Sequence, residues 1–110
     1  MALYQFKNFS SSNIGTSPIT LYTPPSGKKS MALGLSISNL TSASLPVEVY
    51  ITRSNSDVIH LSKSSRIAGG ESIDLLEGRK SVLEDGDSIG IESKVGNAFD
   101  ALLSVMEDID

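Results

Sequence analysis

The sequence predicts an all-β fold, an antiparallel β-sandwich, jelly-roll-like, of about eight short strands. Three observations carry this. Apolar residues alternate with small or polar ones over 30–39 and again over 47–52, the period of half-buried strands. Clusters of Gly, Pro, Asn and Asp interrupt the chain every ~8–12 residues, the turn spacing of a sandwich. Ser and Thr are abundant, Trp is absent, and no apolar run approaches the ~18 residues of a membrane span, a composition that suits twisted strands better than a helical bundle.

With 110 residues the chain fits one domain, 1–110, and is long enough to bury a core without disulfides, which the absence of cysteine excludes. The net charge of −4 speaks against general nucleic-acid binding, because neutralising phosphates takes clustered Lys and Arg. Lys28-Lys29 and Arg79-Lys80 are pairs only and read as solvated loops. No charged segment followed by an apolar one opens the chain, so neither a secretory leader nor a membrane partner is expected.

Residues 2–9 alternate loosely, with Leu3 on one parity and Tyr4 and Phe6 on the other, as an edge strand or an arm reaching a neighbour would. Residues 10–17 read as a polar loop. A short strand over 19–23 stops at Pro24-Pro25-Ser26-Gly27, which cannot continue a ladder. The clearest strand covers 30–39, with Met31, Leu33, Leu35 and Ile37 facing the core and Ala32, Gly34, Ser36 and Ser38 facing out. Pro46 opens the next strand, where Val47, Val49 and Ile51 alternate with Glu48, Tyr50 and Thr52. Matched phase and length predict that these two strands are antiparallel neighbours. Ser54-Asn55-Ser56-Asp57 then turns the chain into a strand over 58–62, and 64–70 is a connection ending in Gly69-Gly70.

The stretch 71–92 organises the chain. Its apolar runs, Ile73 with Leu75-Leu76, Val82-Leu83, and Ile89 with Ile91, are separated by Glu77-Gly78 and Glu84-Asp85-Gly86-Asp87. Gly78 and Gly86 supply the positive φ of tight turns, and Asp85 tolerates left-handed backbone. Residues 97–109 read two ways. Phe99, Ala101, Leu103 and Val105 share a strand face, while Phe99, Leu102, Leu103 and Met106 make a helical stripe behind an Asn97 cap. Strand is favoured because every other element is one. The tail Glu107-Asp108-Ile109-Asp110 reads as a solvated terminus.

No catalytic, cofactor-binding or metal-ligating residue is expected. His60 lies on a strand between Ile59 and Leu61, with no nucleophile motif to pair with, and reads as structural. Glu84, Asp85 and Asp87 lack the spacing of a calcium loop and read as turn formers. Gly69-Gly70 lacks the Lys-Ser/Thr of a phosphate loop. An enzyme is therefore the poorest class, and a binding or assembly module remains. Two places offer it a contact surface. One is the N-terminal segment with Leu3, Tyr4 and Phe6; the other is Leu102 and Met106, which cannot share the core with Leu103 and Val105.

Six segments occur in a telling order: Pro25 to Lys29, Ser38-Asn39, Val47 to Ile51, Gly70 to Leu76, Leu83 to Ile89 and Ala101 to Glu107. Respectively they match a Pro-Gly-Lys loop, a strand ending Ser-Asn, Val-x-Val-Tyr-Ile, Gly-x-Ser-x-x-x-Leu, Leu-x-x-Gly-Asp-x-Ile and a closing hydrophobic strand. In this order, over residues 24–107, the chain resembles small virion proteins of tailed bacteriophages, most of all forms common in phages of aquatic bacteria. The resemblance implies a virion structural protein: a capsid decoration or cement protein, or a small neck or tail component. It would sit in many symmetric copies on other virion proteins, capsid or tail subunits, and no catalytic or ligand residue carries over. The Leu-x-x-Gly-Asp-x-Ile turn also occurs in trimeric jelly rolls of the complement and tumour-necrosis-factor type, which implies the alternative of a binding domain for a receptor or glycan. The aromatic-rich trimer core of that group is missing, with three Phe and three Tyr in the whole chain.

Overall fold

The computed structural model describes residues 4–108, which form nine strands and no helix. In chain order these are β1 (Tyr4–Ile14), β2 (Ile19–Tyr22), β3 (Ser30–Asn39), β4 (Leu45–Thr52), β5 (Val58–Ile67), β6 (Ser72–Asp74), β7 (Ser81–Leu83), β8 (Ser88–Ser93) and β9 (Phe99–Asp108). One sheet runs β1-β9-β3, with β6 and β7 both paired to the far side of β3; the other runs β2-β8-β4-β5. Every pairing is antiparallel. With β6 and β7 taken as one interrupted edge strand, each sheet has four positions, and the eight together make a jelly roll.

Alternation builds the core between the sheets. Val47, Val49 and Ile51 of β4 stand with Ile89 and Ile91 of β8 on one wall. Leu35 and Ile37 of β3 stand with Phe99, Ala101, Leu103 and Val105 of β9 on the other. Ile14, Ile67 and Leu83 close it. The C-terminal segment is therefore a strand. Pairing with β1 on one side and β3 on the other makes β9 a central strand, and a helix would leave both ladders empty.

Five expectations need correction. The parity of β3 inverts at Leu33, where the register with β9 shifts by one residue. This bulge turns Ser30 and Ala32 inward and Met31 outward, while Leu35 and Ile37 keep their inward places. Second, β3 and β4 lie in opposite sheets. The buried Asn39 carboxamide donates to the carbonyls of Ala43 and Ile67, each at 2.8 Å, and so fixes a corner where a hairpin was expected. A Cβ on Gly69 would come 2.4 Å from the Ser42 backbone, so that corner packs backbone on backbone. Third, the serine-rich run after Phe9 continues β1 to Ile14. Fourth, β5 runs on to Ile67. Fifth, Glu107 is buried where a solvated tail was expected.

Candidate interaction surface

Strand pairing alone assembles an apolar row on the outer face of the first sheet. Phe6 stands opposite Met106, Met106 opposite Met31, and Met31 opposite Val82, so the row crosses β1, β9, β3 and β7. Phe6 is 75% exposed, Tyr4 beside it 56% and Val82 49%. Tyr4, Lys29, Met31, Val82 and Met106 line a shallow cleft of about 290 Å³ at this end of the sheet. Towards the other end the face turns small and polar. Ser104 donates to Asn8 Oδ1 at 2.9 Å, and Leu102, 44% exposed, stands between Ser10 and Ser36.

The two stretches that the sequence offers separately thus form one surface. Tyr4, Phe6 and Met106 are neighbours through the β1–β9 ladder, and Leu102 lies farther along the same face of β9. Leu3 lies outside the described residues. Residues 4–9 fold along their own β9 as an edge strand. Met31 and Val82 were missed. The apolar parity of 30–39 hid the outward turn of Met31, and Val82 sits in a strand of three residues, too short to display alternation.

Directly beneath the row, the chain holds a buried acid. Glu107 follows the outward Met106 and so points inward, where Tyr22 O–H donates to it, with Lys7 Nζ at 3.1 Å and Gln5 Nε2 at 3.3 Å. The Ser30 hydroxyl in turn donates to the Tyr22 oxygen, and the Phe9 ring lies 4.6 Å from that of Tyr22. Burial, and then Glu107, push the Tyr22 hydroxyl well above the usual tyrosine range. Burial also works to raise Glu107, but the hydrogen bonds from Tyr22 and Lys7 outweigh it and hold the carboxyl below the usual range. The network ties β1, β2, β3 and β9 together under the apolar row, so Phe6 and Met106 stand on an anchored ladder.

The other candidate groups are engaged locally. His60 Nε2 lies 2.9 Å from Glu48 Oε2 on the opposite sheet, half-exposed, in a hydrogen-bonded surface position. Asp87 is buried, accepts from the Glu84 N–H at 2.9 Å, and pairs with Arg53. Asp85 accepts from the Gly27 N–H at 3.0 Å. These carboxylates hold turns, and the described residues contain no group of three or more His, Cys, Asp or Glu able to hold a metal ion. Gly86 has φ 87° and Gly78 has φ 77°, and the left-handed non-glycine beside them is Glu77, not Asp85.

No protein-family model matches the chain, and no curated protein does. Solved structures do match in fold. A subunit of the Bacillus endospore appendages, described as disulfide-linked pili, superposes with a TM-score of 0.58 at 8% identity, over 98% of this chain and 89% of that one. A chain of Sulfolobus turreted icosahedral virus gives 0.56 at 18% identity, over 96% of this chain and 29% of that one. The major capsid protein P2 of bacteriophage PM2 gives 0.53 at 18% identity, over 99% and 46%. This chain thus spans less than half the length of either viral chain, and what it shares with them is the fold.

Proposed function

We propose that the protein is a structural subunit of a bacteriophage virion, a decoration, neck or tail component without catalytic activity, that docks on other virion proteins through the outer face of its β1-β9-β3-β7 sheet. The observation that carries this reading is the row Phe6–Met106–Met31–Val82, a solvent-facing apolar band across four strands of a jelly roll. Large exposed side chains grouped in this way mark a surface that is covered in use. The fold supports the reading, since the capsid protein of PM2 and a chain of an icosahedral virus share it. The order of motifs along the sequence supports it independently. Tyr4, Phe6, Leu102 and Met106 would make the contacts, together with Met31 and Val82.

The test is co-sedimentation of the purified protein with phage particles that lack it, alongside melting curves. Phe6→Glu and Leu102→Asp change exposed positions and should leave melting within ~0.5 kcal/mol of the parent. Each should weaken binding to particles about tenfold or more, as expected when a charge must be desolvated at a contact. Full binding by both variants overturns this docking face.

A further inference from the structure

We infer that two copies of the chain pair edge to edge through β1, antiparallel about a two-fold axis at Phe6, so that their first sheets become one. The inference deepens the assembly reading, naming one partner of the same surface as a second copy of the chain.

It rests on a contrast among the sheet edges. An unpaired edge invites a further strand, and proteins blunt theirs with short strands, bulges, prolines or charges. Four of the five edge strands are blunted. β6 and β7 have three residues each, and β2 has four, with Pro18 before it and Pro24 after. β5 is long, yet two register shifts break its ladder, and it carries Lys63 and Arg66. β1 is the least blunted of the five, its one register shift lying at the far end, between Ser11 and Ile14. It is 11 residues long, keeps unbroken register with β9 from Tyr4 to Ser11, contains no proline, and among the described residues pairs on one side only. Its single charge, Lys7, is half-exposed but paired with Glu107 at 3.1 Å.

The same residues select the occupant and the register. A two-fold axis normal to the sheet keeps outer face with outer face only if it passes through a residue. Through Lys7 it would set two like charges opposite each other. Through Asn8 it would set Phe6 against Ser10. Through Phe6 it sets ring against ring and Tyr4 against Asn8, with Gln5 against Lys7. The apolar rows of the two copies then run on as one band across the joint, from Val82 of one copy to the same residue of the other. Being nearly uncharged, β1 can lie beside itself without repulsion.

The chain has no cysteine, so single thiols report the register cleanly. Opposed residues of antiparallel strands place their Cβ atoms within disulfide reach. On oxidation with diamide, Phe6→Cys should form a covalent dimer at least about tenfold faster than Asn8→Cys or Leu102→Cys. Tyr4→Cys and Asn8→Cys should link to each other when mixed, faster than either links to itself. In the unmodified protein, hydrogen exchange at β1 amides should slow as concentration rises, with β5 amides unchanged. Preferential linkage through Leu102→Cys means that copies meet face to face and overturns the edge pairing. So does the lack of both a Phe6→Cys preference and β1 protection up to about 1 mM protein. Either result leaves co-sedimentation with particles to decide the assembly reading on its own.

Discussion

The two sheets present the same kind of inner face to the core and opposite kinds of outer face to their surroundings. From the row of Phe6 to the row of Leu102, the outside of the first sheet is apolar, then Asn, Ser and Gly, and the charged side chain in those rungs is Asp74, at the β6 edge opposite Ser36. The outside of the second sheet is a charged lattice. Glu48 stands opposite Glu92, is hydrogen-bonded to His60 at 2.9 Å, and pairs with Lys63 at 3.5 Å. Tyr50 covers Gly90 and packs its ring 5.9 Å from that of His60. Covering charge requires stripping its water, whereas covering Phe6, Met106 and small hydroxyls costs little. The first face is therefore suited to being buried in an assembly and the second to staying in solvent.

If the sheets differ only outside, their inner faces must be equally costly to damage. Leu35→Ala in the first sheet and Val49→Ala in the second each empty a fully buried site and should cost about 2–4 kcal/mol, valine toward the lower end. Met31→Ala, on the outer side of the same strand as Leu35, should cost clearly less. Chemical denaturation of the three variants checks this. Equal losses for Met31→Ala and Leu35→Ala would break the assignment of Met31 to the outer row.

Glycines on the two outer faces sharpen the contrast further. A Cβ on Gly90 would come 2.8 Å from the Tyr50 ring, so Gly90→Ala must push that ring aside, at about 1 kcal/mol, the low end for overpacking because the ring can swing away. On the first sheet, a Cβ on Gly34 would meet nothing nearer than the Asp74 carboxylate at 3.8 Å. Gly34→Ala should leave stability within ~0.5 kcal/mol. Thermal melts of the pair are the measurement, and a costly Gly34→Ala would mean that the first face is more tightly built than an open docking face should be.

How much of this was legible in the sequence differs by region for a physical reason. β4 and β8 alternate cleanly because each is covered on one side along its whole length, so residues such as Val49 and Ile91 declare their direction. In β9, by contrast, the outward Leu102 and Met106 blur the pattern into a helical stripe. In β3 all four residues Met31, Leu33, Leu35 and Ile37 are apolar, and a bulge that inverts parity changes nothing in the pattern. The corner at Asn39 depends on one side chain reaching two carbonyls, which periodicity does not encode. The far half of β1 is held by backbone pairing at an edge, where Ser10 and Ser11 have no need to be apolar. As for the proposed docking face, the individual residues were readable as apolar groups on the wrong parity, but their union into one row required the β1–β9 register. Glu107 was hidden because acidic residues near a terminus are ordinarily solvated, and only its partners Tyr22 and Lys7, far off in sequence, make burial tolerable.

The smallest expected effect separates the charged outer face from the buried acid beneath the apolar one. The hydrogen bond from His60 holds the Glu48 carboxyl below its usual range, with Lys63 assisting, and Glu107 is likewise held low. A carboxyl whose folded pKa is depressed adds stability that is fully present above its unfolded pKa, about 4.3 for Glu, and lost as pH falls through the folded value. Both therefore steepen the loss of stability in acid, below about pH 5. Glu48→Gln should flatten this limb only slightly, by roughly 0–1 kcal/mol, because the pair lies at the surface. Salt at about 1 M should remove most of that difference by screening. Glu107→Gln should flatten the limb more, and most of the difference should survive salt, since the carboxyl and its partner Tyr22 are buried. The half-exposed Lys7 accounts for the part that salt screens. Melting temperatures followed from neutral pH into acid, at low and high salt, measure both. A Glu107 effect wholly removed by salt would mean that water reaches beneath the apolar row, and β1 would then be a looser strand than its pairing with β9 implies.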